Sequence, residues 1–591
     1  MKFTLAPVVL AALATSVSAQ TTIESVNSAG VQGNFGSAFP AISADGRYVA
    51  FESNASNLDP ADSSTTKDVF VRDRAAGTTA IASLDPTGHA GNQDSINAAL
   101  SADGHAVAFA SLATNLVPGD TNFEYDIFVR DLAARTLERV SVSSSGAQSD
   151  FDSFRPSLSG DGRFVAFDSR ASTLVAGDTN GRVDVFVRDR LLGTTERVSI
   201  SSSGVEGNDD SVSGRLSADG RYVAFLSRAS NLVAGDTNGK QDVFVHDRVT
   251  GTTQRLALAG HAAELDSDVS DFAVTPDFRW VAFSTDATNV IAFDTNGSID
   301  VFVHDVMLGA TERASVGPHD AQANSGSFFA AISADGRRVA FLSGATNLVP
   351  GDSNGVPDVF VRDRVDGTTT RASLSSNGAQ GNGQSQSCAI SADGRWVAFD
   401  SLASNLVAGD VNAARDVFLR DLRRYPEATD LCQAGIGGVG SCPCGNPPAS
   451  APRGCDNSSG TGGARLVASG SASLSNDTLA FSTDGEIATA LTVVIQGDTV
   501  VGSGVVFGQG VLCAGGQLRR LYVATASGGS IVAPGPSDLS VSVRSTAVGD
   551  VLSPTSVRWY AVYYRDTVVL GGCPAASTFN VTQTQRIAWS P

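Results

Sequence analysis

One phrase returns seven times at a fixed spacing, and that spacing narrows the possible folds more than any other feature of the chain. The aspartate of a Ser-Ala-Asp-Gly turn, or a close variant, falls at Asp45, Asp103, Asp161, Asp219, Asp277, Asp335 and Asp393, 58 residues apart each time. A second phrase, Asp-Val-Phe-Val-Arg-Asp, keeps the same beat from Asp68 to Asp416. A period of this length marks a repeat architecture, in which each unit buries its apolar face only against its neighbours.

The third unit shows the plan. Phe154–Ser159 leads into the turn at Asp161-Gly162, Arg163–Ser169 follows, and a long loop passes through Gly177-Asp178-Thr179-Asn180-Gly181. Asp184–Asp189 and Glu196–Ile200 complete the unit, separated by Gly193-Thr194-Thr195. Short β-branched and aromatic runs between Asp-Gly and Gly-Thr turns read as four antiparallel strands, A to D. Nothing between residues 20 and 422 has helical periodicity. The seventh unit ends at Asp421 without a strand D, whereas Thr22–Val26 aligns with that strand, four residues before Gly30. The expected fold is therefore all-β: a seven-bladed β-propeller over residues 20–422, closed by its N-terminal strand.

The phrase Asp-Gly-Arg-Tyr-Val-Ala-Phe at 45–51 resembles the bacterial TolB-like propeller repeat, a relative of WD repeats. The resemblance covers residues 21–422 and implies the blade fold. Such propellers serve as docking platforms, as substrate gates on peptidases and as lyases, so the likeness does not select a function. Members of that family usually carry fewer blades and a separate N-terminal domain. The sequence departs from both, and a role in a Tol complex is not implied. Unit five also departs: Thr275-Pro276-Asp277-Phe278 puts Phe where the turn has Gly, so a different turn type is expected there.

Residues 1–19 read as a secretory signal peptide, with Lys2, an apolar stretch Phe3–Ala14 and the small-residue site Val17-Ser18-Ala19. No later segment is long and apolar enough to cross a membrane, so a secreted or periplasmic protein is expected. Net charge is -20, and all of it lies in the repeats, because residues 431–591 hold eight Arg against eight Asp plus Glu. An acidic surface argues against nucleic acid as a partner and suits solubility, cations or a basic protein or cell-surface ligand.

Two sets of acids are candidate sites. The B–C loop carries Asp-x-Asn-x-x-x-Asp in six units: Asp120/Asn122/Asp126, Asp178/Asn180/Asp184, Asp236/Asn238/Asp242, Asp294/Asn296/Asp300, Asp352/Asn354/Asp358 and Asp410/Asn412/Asp416. Unit one keeps Asp62 and Asp68 with Ser64 between them. Alternating oxygen side chains resemble part of a calcium loop. They are equally the residues of Asx-turns capping strand C, and the missing earlier carboxylate (Ala176, Pro118) favours that alternative. The second set lies on the D–A loops: Asp94, Asp152, Asp209 with Asp210, and Asp268, matched elsewhere by Gly36, Gly326 and Gln384. Both loops belong to one face, so an acidic rim is expected to bind a cation or basic ligand, modulated by Arg155 and Arg215, or else to be simply solvated.

All six histidines (His89, His105, His246, His261, His304, His319) lie in the repeats. His246 and His304 replace the strand C arginine and are expected to pack between blades; a lyase-like His and Arg cluster in the channel is the alternative. Residues 423–463 read as a junction rich in Cys, Gly and Pro, and 464–591 as a β-rich, sandwich-like domain. Cys432, Cys442, Cys444, Cys455, Cys513 and Cys573 form an even set, expected as three disulfides: two at the junction and Cys513–Cys573. Cys388 stands apart as a buried thiol. Tyr560, Tyr563 and Tyr564 form either a docking surface or core. Leu491–Ile495, Val501–Phe507, Leu521–Thr525, Leu539–Val543, Val557–Tyr564 and Arg586–Trp589 are the expected strands. Together these features describe a non-catalytic binding or scaffold protein; a channel enzyme such as a polysaccharide lyase and a calcium-stabilised surface protein are the alternatives.

Overall fold

A computed structural model describes residues 20–422 except 63 and 260–263, and beyond them 429–431, 442, and most of 453–566 and 578–589. Two compact units result, 20–422 and 423 onward.

In the first unit the hydrophobic pattern of each repeat makes one four-stranded antiparallel sheet, ordered A-B-C-D. In the third repeat the strands are Ser153–Leu158, Phe164–Ser169, Asp184–Asp189 and Thr194–Arg197. Among the described residues there are seven such sheets. In the last one Thr21–Ile23 takes the fourth place, pairing with Asp416–Asp421 (Thr21 opposite Arg420). Strands B and C are apolar on both faces and almost wholly buried, as strands covered on both sides must be. A Phe from strand B stacks on a Phe from strand C in every sheet, from Phe51–Phe70 to Phe399–Phe418.

Each sheet buries its faces against its neighbours. Ile127 and Val129 of the second sheet pack on Val165 and Phe167 of the third, and Val417 and Leu419 of the last pack on Val49 and Phe51 of the first. The A–B turns are linked by backbone hydrogen bonds: Ala44 to Ala102, Ala102 to Gly160, Gly160 to Ala218, Ala218 to Pro276, Ala334 to Ala392 and Ala392 back to Ala44, at 2.9–3.1 Å. Pro276 has no N–H to continue the series to Ala334. The arrangement is consistent with a β-propeller.

Unit five corrects one expectation. Phe278 has φ 60°, the left-handed conformation that Gly takes in the other turns, and its N–H bonds Thr275 O at 2.9 Å just as theirs do. The turn type is therefore unchanged. The strain is held by packing, because Phe278 stacks on Tyr222 at 5.7 Å and is 9% exposed.

In the second unit Leu491–Gly497, Arg519–Thr525, Val557–Arg565, Phe579–Val581, Thr584–Ala588 and Thr429–Leu431 form one antiparallel sheet. Arg465–Ser469, Ala480–Asp484 and Val532–Ala533 form a second, and Leu466, Phe481, Val494, Tyr560 and Ile587 share a core between them. Thr429–Leu431, within the expected junction, is thus part of this unit's main sheet. The expected strand at Leu539–Val543 is instead the start of a helix, Val541–Ala547. Its buried residues, Val541 and Ser545, are four apart, which is a helical and not a strand spacing. Tyr560, Tyr563 and Tyr564 are all buried, so they are core and no docking surface. Cys442–Cys455 is a disulfide and Cys513 is disulfide-bonded. Cys432, Cys444 and Cys573 lie outside the described residues.

Candidate functional site

The repeated acids are engaged by the chain's own donors. In sheets two to six an arginine ending strand D sits between the loop Asp and the first Asp of strand C. Arg139 lies 3.2 Å from Asp120 and 3.1 Å from Asp126. Arg197 lies 3.1 Å from Asp178, 3.2 Å from Asp184 and 3.0 Å from Glu206. Arg255 pairs with Asp236, Asp242 and Glu264, Arg313 with Asp294 and Asp300, and Arg371 with Asp352 and Asp358. The intervening Asn122, Asn180, Asn238, Asn296 and Asn354 each donate a side-chain N–H to the strand C carboxylate. In the seventh sheet Gln32 Nε2 donates to Asp410 and Asp416, 2.7 Å each, and Asn412 donates to Gly33 O. A calcium ion in any of these six loops would have to displace a guanidinium or an amide. Among the described residues no three His, Cys, Asp or Glu side chains are grouped to hold a metal.

The D–A acids share a different task. Asp94, Asp152, Asp210 and Asp268 each accept the backbone N–H just before strand C of the preceding sheet, from Lys67, Tyr125, Val183 and Gln241 at 2.8–3.0 Å. They staple neighbouring sheets together. Asp268 also pairs with Arg228 at 2.6 Å, and Asp209 with Arg182 at 3.2 Å. Arg155 and Arg215 form ion pairs with none of these acids; Arg155 is bound to Asp168 instead.

Side chains that differ from unit to unit gather on the A strands, several of which touch strand A of the next sheet. A bulge breaks the A–B register in each sheet, as between Phe154 and Ser157. In five sheets the bulged residue has positive φ: Phe39 52°, Asn97 56°, Arg155 49°, Ser213 61° and Phe329 54°. Asp271 and Ser387 stand at the same repeat position. A left-handed Phe or Arg costs about 1–3 kcal/mol, and such strain concentrates at functional sites.

These residues interact with strand B of their own sheet and, at Asn97, Asp271 and Phe329, with a neighbouring sheet. Glu52 accepts the Asn97 N–H at 2.7 Å and lies 3.5 Å from Lys67 Nζ. Arg155 Nη1 donates to Asp168 Oδ2 at 2.6 Å. Asp271 accepts from Ser284 Oγ at 2.7 Å and from the Phe329 N–H at 2.8 Å. Asp400 accepts from the Ser387 N–H and from Arg415 Nη1, both at 2.9 Å. Cys388 Sγ donates to Phe329 O at 3.3 Å. Arg215 feels Asp168, Arg155 and Asp271 but among the described residues forms no ion pair, and its guanidinium hydrogen-bonds Gly214 O at 3.3 Å. Phe39 and Phe329 are 42% and 49% exposed.

Burial sets the protonation chemistry. Desolvation raises Asp168 to about 6 against the lowering pull of Arg155, and it also raises Glu52 and Asp400. It lowers Arg215 and pushes the Cys388 thiol up, so that cysteine is a poor nucleophile. Cys388 is partly, not fully, buried. His246 and His304 lie on strand C, buried, each hydrogen-bonded to a strand D threonine at 2.8 and 2.9 Å, with burial lowering their pKa. His261 lies outside the described residues.

Motif reading missed Glu52, Asp168, Asp271 and Asp400 because it looks for repetition. The available signal was its opposite, repeat positions that vary between units: Phe39, Asn97, Arg155, Ser213, Asp271, Phe329 and Ser387 on strand A, and Glu52, Ala110, Asp168, Leu226, Ser284, Leu342 and Asp400 on strand B.

No protein-family model matches the chain, and no curated protein matches it. Solved structures resemble it at low identity. TolB from Acinetobacter baumannii is 16% identical over 58% of this chain, with a TM-score of 0.33, and the chain spans 65% of that protein's length. A TolB from Agrobacterium tumefaciens is 15% identical over 56% of this chain and 90% of its own, with a TM-score of 0.31. Pyrococcus horikoshii acylaminoacyl peptidase is 12% identical over 77% of this chain and 59% of its own, with a TM-score of 0.40. TolB-like propellers are thus among the structures this chain is similar to.

Proposed function

We propose that this is an exported, non-catalytic binding protein: a closed seven-bladed propeller that takes a basic protein or cell-surface ligand at the mouth of its channel, with a C-terminal β module. The observation that carries this reading is the division of labour within the repeat. In sheets two to seven the repeated loop and strand C acids are tied up by the chain's own donors, and the four D–A acids staple neighbouring sheets, whereas the strained, partly exposed strand A positions vary freely, as fold-building positions would not. An unpaired guanidinium beside carboxylates and open aromatic rings suits recognition. Exposed Phe35, Phe123, Phe151 and Phe293 stand on the D–A and B–C loops, at the same ends of the strands. Ring closure is supported by the Thr21–Ile23 pairing and the Ala392–Ala44 hydrogen bond. Export is supported by the N-terminal apolar stretch and the disulfides. Among the described residues no helix is long and apolar enough to cross a membrane.

The test is site-specific photocrosslinking on living cells of the source. A benzophenone side chain at Phe39, Phe123 or Phe293 should capture a discrete partner, competed by unlabelled protein and weakened by salt. The same group at Leu191 or Met307, on the opposite loops, should not. Equal capture from both faces, or none from the first, would sink the reading.

A further inference from the structure

The first sheet breaks the arrangement that neutralises the other six. Where sheets two to six have an arginine ending strand D, it has Ile81; where the others have Asn between the two acids, it has Ser64; and where the seventh uses Gln32, it has Ala90. Three N–H donors are thereby replaced by two apolar side chains and a hydroxyl. The two acids remain. Asp62 is 5% exposed and Asp68 0%, and among the described residues Oδ2 of each has neither hydrogen bond nor ion pair. Their other oxygens are satisfied, Asp62 Oδ1 by the Ser64 N–H at 2.9 Å and Asp68 Oδ1 by Ser83 Oγ at 2.6 Å. Lys67, the nearest cation in sequence, turns its ammonium to Glu52. In the neighbouring sheet the corresponding loop and strand C carboxylates share one guanidinium nitrogen, Arg139 Nη1, at 3.2 and 3.1 Å.

We propose that the first sheet binds a calcium-class divalent cation between Asp62 and Asp68, in the place the arginine guanidinium holds elsewhere. Two buried carboxylates supply the neutralising charge, and an uncompensated pair would be strongly unfavourable. Ser64 Oγ, 3.5 Å from Asp62 Oδ1 and 2.6 Å from Thr66 Oγ1, adds hydroxyl oxygen to the same loop. Oxygen-only donors exclude soft metals, and a site this buried leaves little room for the water shell magnesium retains. The motif that resembled a calcium loop in six units would thus hold an ion only in the unit that departs from it.

The experiment is calcium binding and thermal unfolding of the full mature chain, after EDTA treatment, with calcium chloride as the only added ligand. One ion per chain is expected, with half-saturation between about 0.1 and 1 mM. The propeller's midpoint should rise by about 3 °C at a hundredfold excess over the dissociation constant. Asp62→Asn and Ile81→Arg should each abolish binding and the shift, the second by restoring the tethered cation; Asp178→Asn should change neither. No binding by the wild type, or binding that survives Asp62→Asn, overturns the proposal. So does a site lost equally in Asp178→Asn. If Ile81→Arg does not fold, Asp62→Asn still decides.

Discussion

Asp168 shows how one residue ties stability to pH. Its carboxyl is 2% exposed, one oxygen is held by Arg155 at 2.6 Å, and the other has no side-chain hydrogen-bond partner among the described residues. Burial lifts its pKa to about 6 in the folded chain, against about 3.9 in the unfolded one. The folded state therefore binds the extra proton between these values. The stabilisation is complete below the unfolded pKa and is lost as pH rises through the folded one. Denaturant unfolding from pH 4 to 8 should show wild-type stability falling relative to Asp168→Asn, by up to about 3 kcal/mol. A parallel pair of profiles would mean the carboxyl is not perturbed. Arg215 leads to a second expectation. Its desolvated guanidinium has no ion pair among the described residues, so Arg215→Met should leave stability unchanged or raise it by about 1 kcal/mol. Crosslinking at Phe39 should fall in the same variant. Loss of both together would make Arg215 structural.

At the scale of elements, the A–B turn couples each sheet to the next. Gly104 has φ +72°, and a Cβ there would lie 2.2 Å from Tyr48 Cδ2 in the preceding sheet. Gly77, in a C–D turn, has φ +68° and no atom within 4 Å of such a Cβ. Gly77→Ala should cost about 1–2 kcal/mol, the left-handed penalty alone. Gly104→Ala should cost about 2–5 kcal/mol, since overpacking adds to it. Urea midpoints of the two variants separate the terms. The strands and turns of the repeats were legible in the sequence because each follows from local chemistry: an Asp-Gly or Gly-Thr turn between apolar runs. Several C-terminal strands, such as Arg465–Ser469 and Ala480–Asp484, were not, and neither were a turn and a helix. Phe278 keeps the glycine turn because Tyr222, from another repeat, holds it. The helix Val541–Ala547 places Ser545 in the core, where it accepts a hydrogen bond of 2.7 Å from Gln496, a partner 49 residues away that no local pattern reveals.

For the whole molecule, the critical joint is Thr21–Ile23 on Asp416–Asp421. Ser25 Oγ bonds Asp416 at 2.6 Å and Arg420 Nη1 bonds Thr21 Oγ1 at 2.9 Å, so these few residues also satisfy buried groups of the last sheet. Deleting 20–26 should leave an unpaired edge, and the propeller should aggregate or lose its cooperative transition in size-exclusion chromatography and circular dichroism. Retention of a sharp wild-type transition would count against the closed ring. The repeat period, the places of the repeats' strands and turns, and the acidic character of the repeats came from the sequence by itself, because they depend on residues a few positions apart. The fate of each charge was decided by tertiary structure. Asp62 and Asp178 occupy the same place in the repeat, yet Asp178 lies beside Arg197, whereas the first repeat has Ile81 at that arginine's position, on a strand that follows after an intervening loop and strand. Glu52 meets Asn97, and Asp271 meets Phe329, only where neighbouring sheets converge. Desolvation and Coulomb interactions act through space, so identical motifs acquire different chemistry from what the fold sets next to them.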